Sequence, residues 1–322
     1  MRINNNKNGM MKFLVSIFLL LIGYSAFGQQ DAQYTQYMYN TIAINPAYAG
    51  NRGMLSAIAL HRSQWVGLDG APETQSISLH SPVGLGRLGL GLSIVNDKLG
   101  PSSETYFNGD ISYTIQTSVE GRLSFGLKLG AHVLDVDFNK LNLPPETIDP
   151  AFENNIDNRL TPNIGTGIYY HTDKFYAGLS APNLLRNEHF EASNNTNNNS
   201  SFVAAERIHY YLTGGYVFDI NPTLKFKPST MIKAVAGAPL QVDLTANFLI
   251  SEKLTLGAAY RLDAAVSGLI GYQVSDQVSL GFAYDRETTE LGNTQFDDGS
   301  FEVFVRFELF NSYNRMLTPR FF

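Results

Sequence analysis

The sequence predicts an all-β protein, a transmembrane antiparallel β-barrel of about 14 strands, and three observations carry that reading. From about residue 54 onward, apolar residues alternate with polar or small ones, in segments of about 8 to 12 residues set apart by turn formers. Charged residues make up 16% of the 322, against about 25% in soluble domains, while aromatics reach 12% through 17 Tyr and 21 Phe. Only one run approaches the ~20 apolar residues of a membrane helix, which excludes a polytopic helical membrane protein. An apolar fraction of 44% and a mean hydropathy of -0.11 exclude a disordered chain.

The elements follow in chain order. Residues 1–28 join Arg2, Lys7 and Lys12 to the apolar run Phe13 to Ile22 and the small-residue site Ala26-Phe27-Gly28, the three parts of a cleaved secretory signal peptide. Removing it takes away those three basic residues and no acidic one, leaving 20 Lys and Arg against 29 Asp and Glu, a net charge of -9. An acidic chain without a basic stripe has no electrostatic support for binding nucleic acid. With no cysteine, disulfides, thiolate metal sites, thiol nucleophiles and a lipoprotein anchor are excluded together. Residues 29–53, rich in Gln, Tyr and Asn, are expected to plug the lumen or to lie along the periplasmic mouth.

The barrel is expected over residues 54–322. Its segments are read near 54–65, 74–80, 87–97, 104–116, 122–134, 161–171, 175–181, 207–218, 223–233, 240–250, 253–261, 264–273, 277–286 and 300–310. In the fifth, Leu123, Phe125, Leu127 and Leu129 share one face while Arg122, Ser124, Gly126, Lys128 and Gly130 share the other. One face suits lipid and the other a lumen. In hydrocarbon an unpaired backbone group costs several kcal/mol, so a sheet spans only when closed. A soluble β fold would alternate too, but Tyr169-Tyr170, Tyr210-Tyr211, Tyr260, Tyr272 and Tyr284 fall at strand ends, where interfacial girdles are expected, and short turns alternate with long connections. The last segment runs Phe301, Val303, Val305, Phe307, Leu309, and the chain ends in Phe321-Phe322, like the aromatic end read by barrel-assembly machinery.

Candidate chemistry is sparse. The Asn-rich stretch 187–201, with Asn187 and Asn195, reads as a polar surface loop. Residues 135–157 concentrate Asp135, Asp137, Glu146, Asp149, Glu153 and Asp157 around Pro144-Pro145; a solvated acidic loop is favoured over a calcium site, because no EF-hand spacing is present. Neither a nucleophile elbow, nor a metalloprotease motif, nor a phosphate loop occurs, so no cofactor and no catalysis are expected. The pairs His132 with Asp135 and His171 with Asp173 are the candidates for a rim hydrolase, which lumen or rim polar residues explain more simply.

Four blocks after the signal are specific: Gln33-Tyr34-Thr35-Gln36-Tyr37-Met38, Asn45-Pro46-Ala47-Tyr48-Ala49-Gly50, Arg62-Ser63-Gln64-Trp65-Val66-Gly67 and Gly70-Ala71-Pro72-Glu73-Thr74-Gln75. Together with Lys227-Pro228-Ser229-Thr230, Gly237-Ala238-Pro239-Leu240 and the tail Thr318-Pro319-Arg320-Phe321-Phe322, they closely resemble the PorP/SprF family of Bacteroidetes outer-membrane proteins over essentially the whole mature chain. On their own chemistry these residues mainly hold structure: Asn45-Pro46 forms a turn, Trp65 suits an interfacial anchor, and Pro72, Pro182, Pro228 and Pro239 fit turns or strand ends. The resemblance implies a fourteen-stranded barrel of the FadL type that works with a type IX secretion system, exporting or anchoring an adhesin by binding its C-terminal domain. Implied partners are that domain, translocon or periplasmic-ring components, and outer-membrane lipid. Loops 135–160 and 182–206, with Asp149, Glu153, Asp157, Asn187 and Asn195, are the expected contacts. The competing reading is a passive channel for small or hydrophobic solutes, which the fold alone would allow; Gly89, Gly91, Gly126, Gly130, Gly257 and Gly281 remove side chains from the expected inner face, which fits a lumen either open or filled by a plug.

Overall fold

The computed structural model describes residues 32–84, 86–141, 155–185, 207–290, 292 and 298–309. The strands are β1 (Leu55–Ser63), β2 (Glu73–Val83), β3 (Leu88–Leu99), β4 (Ser102–Gln116), β5 (Arg122–Val136), β6 (Ile156–His171), β7 (Phe175–Ala181), β8 (His209–Tyr216), β9 (Phe218–Asn221), β10 (Leu224–Val235), β11 (Gln241–Ile250), β12 (Leu254–Arg261), β13 (Ala265–Gln273), β14 (Val278–Glu287) and β15 (Ser300–Leu309). Each pairs antiparallel with its chain neighbour, and β15 returns to pair with β1 from Leu309↔Leu55 to Phe301↔Ser63. The sheet is therefore closed, with β15 covering the free edge of β1, as a sheet that spans hydrocarbon requires. β8 and β9 both pair with β10 in one register, so they form a single stave interrupted at Val217 and the wall has fourteen.

The interruption has a local cause. Ser229↔Gly215 and Phe226↔Phe218 place Tyr216 and Val217 across from Pro228 and Lys227, and Pro228 has no N–H for the ladder. The expectation that Pro228 marks a turn or strand end is thus corrected: it lies within β10, opposite Ala246 of β11, at the place where the neighbouring stave breaks.

Period two sets the two faces. Leu127 is 44% exposed on the lipid side, whereas Lys128, the next residue, is 1% exposed. Leu88, Leu90, Leu92 and Ile94 on β3, and Val303, Val305, Phe307 and Leu309 on β15, also point outward. At the end closed by the short turns, the rings of Tyr216, Phe218, Phe226 and Phe248 follow one another at 4.6, 6.3 and 4.8 Å, the first pair tilted and the other two stacked. At the other end Tyr284 meets Phe301 at 5.1 Å. Only half of each expected tyrosine pair joins these girdles. Tyr170 and Tyr210 face outward, but Tyr169 and Tyr211, 2% and 4% exposed, face the lumen, because adjacent strand residues cannot share a side.

The connections sort by length. Residues 84–87, 117–121, 172–174, 222–223, 251–253 and 274–277 close one end, none longer than five. The opposite end carries 64–72, 137–155, 182–208 and 288–299 beside three short turns. Short turns face the periplasm and long connections the cell exterior in outer-membrane barrels, which orients the molecule.

Candidate functional site: the occupied lumen

Residues 32–53 run through the lumen as a short chain containing helix α1 (Thr41–Ile44) and a 3-10 turn (Pro46–Tyr48). Their polar groups bond the inward side chains of strands all round the wall. Gln33 Nε2 donates to Gln241 Oε1 on β11 at 3.0 Å, and Glu302 on β15 accepts from Thr35 N at 2.9 Å and Gln36 N at 2.8 Å. Asn40 exchanges hydrogen bonds with Ser76 and Ser78 on β2. Ser180 on β7 donates to Ile44 O, and Ser112 on β4 to Ala49 O, each at 2.7 Å. An apolar seat completes the contact, formed by Tyr34, Tyr37, Met38 and Ile44 against the inward-facing Ile58, Leu60, Tyr211, Met231 and Phe304.

Charged clamps hold both ends. Near the exterior mouth, Arg62 Nη1 lies 2.7 Å from Asp285 and 3.3 Å from Glu302, and both Arg62 Nη1 and Asp285 also bond the Thr35 hydroxyl. At the periplasmic end Arg52 Nη2 meets Glu308 at 2.6 Å, and Arg306 donates to Tyr39 O. Lys128 pairs with Asp110 at 3.3 Å midway along the wall and reaches Ile42 O at 3.5 Å. Arg62, Asp285 and Glu302 are each about 1% exposed, so each charge depends on these partners rather than on water.

Glycines on the inner face make the room. A Cβ on Gly126 would come 2.1 Å from Ala47 N, and one on Gly89 would come 2.1 Å from Ala49 O. Gly91 faces Ile42, and Gly167 faces the side chain of Asn45. Gly126 and Gly89 are bare because the segment's backbone lies against them, Gly91 and Gly167 because its side chains do.

The family-signature residues separate into three groups. Asn45, Pro46, Tyr48 and Gly50 all lie in the lumen: Asn45 caps the 3-10 turn at Ala47 N and donates to Ile168 O at 3.1 Å, Pro46 is buried as the turn's first residue, Tyr48 meets His80 and Tyr169 edge-on, and Gly50 N donates to His80 Nδ1 at 3.2 Å. Gln64, Trp65, Gly67, Gly70, Pro72 and Thr74 belong to the β1–β2 connection at the exterior mouth or adjoin it. There Gln64 Oε1 accepts from Arg62 Nε at 3.0 Å, the Trp65 indole donates to Glu287 at 3.2 Å, Pro72 O accepts from Gln64 N, and Thr74 donates to Asp97. Gly67 and Gly70, with φ of 103° and 75°, occupy conformations that this tight connection requires and that L side chains rarely adopt. Pro228 faces lipid and Pro239 is exposed in the β10–β11 connection, so neither joins the lumen.

Of the expected loop contacts, Asp157 is exposed at the start of β6; Asp149, Glu153, Asn187 and Asn195 lie outside the described residues. Asp135 accepts from Asn158 N and Asp137 from Asn139 N, so both serve the local backbone. Among the described residues no group of His, Asp and Glu is arranged to hold a metal. The histidine pairs do not assemble. His132 faces inward, stacked on Tyr106 at 4.4 Å with Glu104 at 3.4 Å, while Asp135 sits at the opposite parity of β5; His171 is buried against Tyr169 while Asp173 is exposed in a turn. Sequence reasoning misses the clamps Arg62, Asp285, Glu302, Arg52, Glu308 and Arg306; for all but Arg52, which lies in the lumen segment, the signal is a charge at an inward parity of a strand.

A closed outer-membrane-type barrel with an occupied lumen is the class these features define. The chain belongs to the PorP/SprF family: the family model for "type IX secretion system membrane protein PorP/SprF" matches residues 26–307. No curated protein matches it. Among solved structures, the chain is similar to the CymD monoaromatic hydrocarbon channel (12% identity, 89% of this chain and 94% of that chain, TM-score 0.47). It is also similar to the Acinetobacter baumannii outer membrane protein Omp33 (9%, 80% and 99%, 0.43) and to the KdgM porin (9%, 79% and 99%, 0.37).

Proposed function

We propose that this barrel is a non-enzymatic component of a type IX secretion system, exported through cleavage of its signal peptide, that helps deliver or hold a secreted adhesin at the cell surface by binding its C-terminal domain. The family match over residues 26–307 carries the reading. In it, residues 32–53 act as a plug, and the exterior connections, including Asp149, Glu153, Asp157, Asn187 and Asn195, meet the partner. A segment bonded to strands around the whole wall favours a docking role over a passive solute channel. The test is a deletion strain. One surface protein should be lost from intact cells and accumulate or be degraded in the periplasm, while other secreted proteins appear normally. Normal display of every secreted protein would end the proposal.

A further inference from the structure

The lumen segment has a direction. Its first described residues lie at the exterior end, where Gln33 bonds Gln241 just after the β10–β11 connection and Thr35 joins the Arg62–Asp285–Glu302 clamp. Its last lie at the periplasmic end, where Arg52 pairs with Glu308 near the end of β15, and the chain then turns into β1. Residues 32–53 are therefore threaded from the exterior mouth inward, with Ala32 and Gln33 at the exterior end.

Beside that opening lies a cavity of about 90 Å³, reaching from the rim at Leu99 and Arg207 down to Lys128 at mid-wall. Its floor is the segment itself, through Tyr34 and Ile44, and Tyr106 and Tyr211 stand in its walls. Pockets that take whole solutes measure roughly 300–1,000 Å³, so this one suits one or two side chains. Aromatic rings with polar tips are the usual lining where a partner's anchor residue is buried. We infer that the barrel presents to the exterior a vestibule floored by its own amino-terminal segment, and that an anchor side chain of the secreted partner inserts there. The occupant rests on the docking role proposed above; the threading does not.

Since the chain has no cysteine, single cysteines report position cleanly. Ala32→Cys lines the vestibule, Pro239→Cys is exposed in an exterior connection, and Val119→Cys, 94% exposed, tips a periplasmic turn. A membrane-impermeant maleimide on intact cells should label the first two and reach Val119→Cys only after the outer membrane is permeabilised. Labelling of Ala32→Cys only after permeabilisation, or not at all, overturns the threading. The folded, labelled proteins then serve the second arm, with the purified C-terminal domain of whichever protein the deletion strain fails to display as the probe. A maleimide adduct at Ala32→Cys should weaken binding by about tenfold or more while the adduct at Val119→Cys, on the periplasmic side, leaves it unchanged. Equal binding to both labelled forms, or no binding to the unlabelled barrel, overturns the vestibule as the contact. A deletion strain that loses no surface protein refutes the docking role and leaves the labelling result standing.

Discussion

Gly126→Ala adds a single methyl group where the wall meets the buried turn, and its effect can be worked from the contacts. The new Cβ would stand 2.1 Å from Ala47 N, 2.4 Å from Pro46 C and 2.5 Å from Ala47 Cα. All three are backbone atoms of the 3-10 turn, so no side chain can swing aside; the turn must retreat by roughly 1 Å. That movement strains the bond from Asn45 to Ile168 O and the edge contacts of Tyr48 with His80 and Tyr169. Overpacking in a tight core costs about 1–3 kcal/mol, and a backbone clash belongs at the upper end. About 3 kcal/mol raises the undocked fraction of the segment roughly a hundredfold. Gly268→Ala is the matched control, because a Cβ there meets nothing within 4 Å. Urea titration in micelles, followed by the fluorescence of Trp65, the single tryptophan, and by heat-modifiable gel mobility, should show a lower midpoint for Gly126→Ala and an unchanged one for Gly268→Ala. Equal midpoints for both variants would refute the argument that the segment's backbone rests on the wall.

Other substitutions probe other links. Arg62→Leu leaves Asp285 and Glu302 buried without their counter-charge and should destabilise the barrel by about 3–5 kcal/mol, with the triple change Arg62→Leu/Asp285→Asn/Glu302→Gln less damaging than the single one; a single variant as stable as wild type in the same titration would contradict this. Leu127→Lys should cost about 2–4 kcal/mol in liposomes because it faces mid-bilayer lipid, although its neighbour Lys128 is native; undiminished folding yield would mean that the faces are wrongly assigned. Asn45→Ala removes the cap of the 3-10 turn and a bond to β6, and a loss of about 1–2 kcal/mol in thermal unfolding is expected, against no change if the segment is only loosely held.

The strands were legible because lipid imposes a strict period of two; Leu123 to Leu129 show it without any tertiary information. What occupies the lumen was less so. Ile58, Leu60 and Phe304 are apolar yet inward, since they seat Tyr34, Tyr37 and Met38, and alternation alone cannot distinguish a lipid-facing leucine from one covered by a plug. The clamps were invisible for another reason: Arg62 and Glu302 are 240 residues apart, and only closure of β15 onto β1 brings them together. The inner glycines could be read as missing side chains, but what fills their space, such as the segment's backbone at Gly89 and Gly126, could not. Pro228 departs from the usual strand-end place of proline because the neighbouring stave yields beside it.

Planar-bilayer recording of the purified, full-length protein tests most directly whether the lumen is filled by residues 32–53 rather than open. Insertion without a steady current above the lipid baseline is the predicted result. A stable ohmic conductance like that of an open porin, in the wild-type protein, would contradict it.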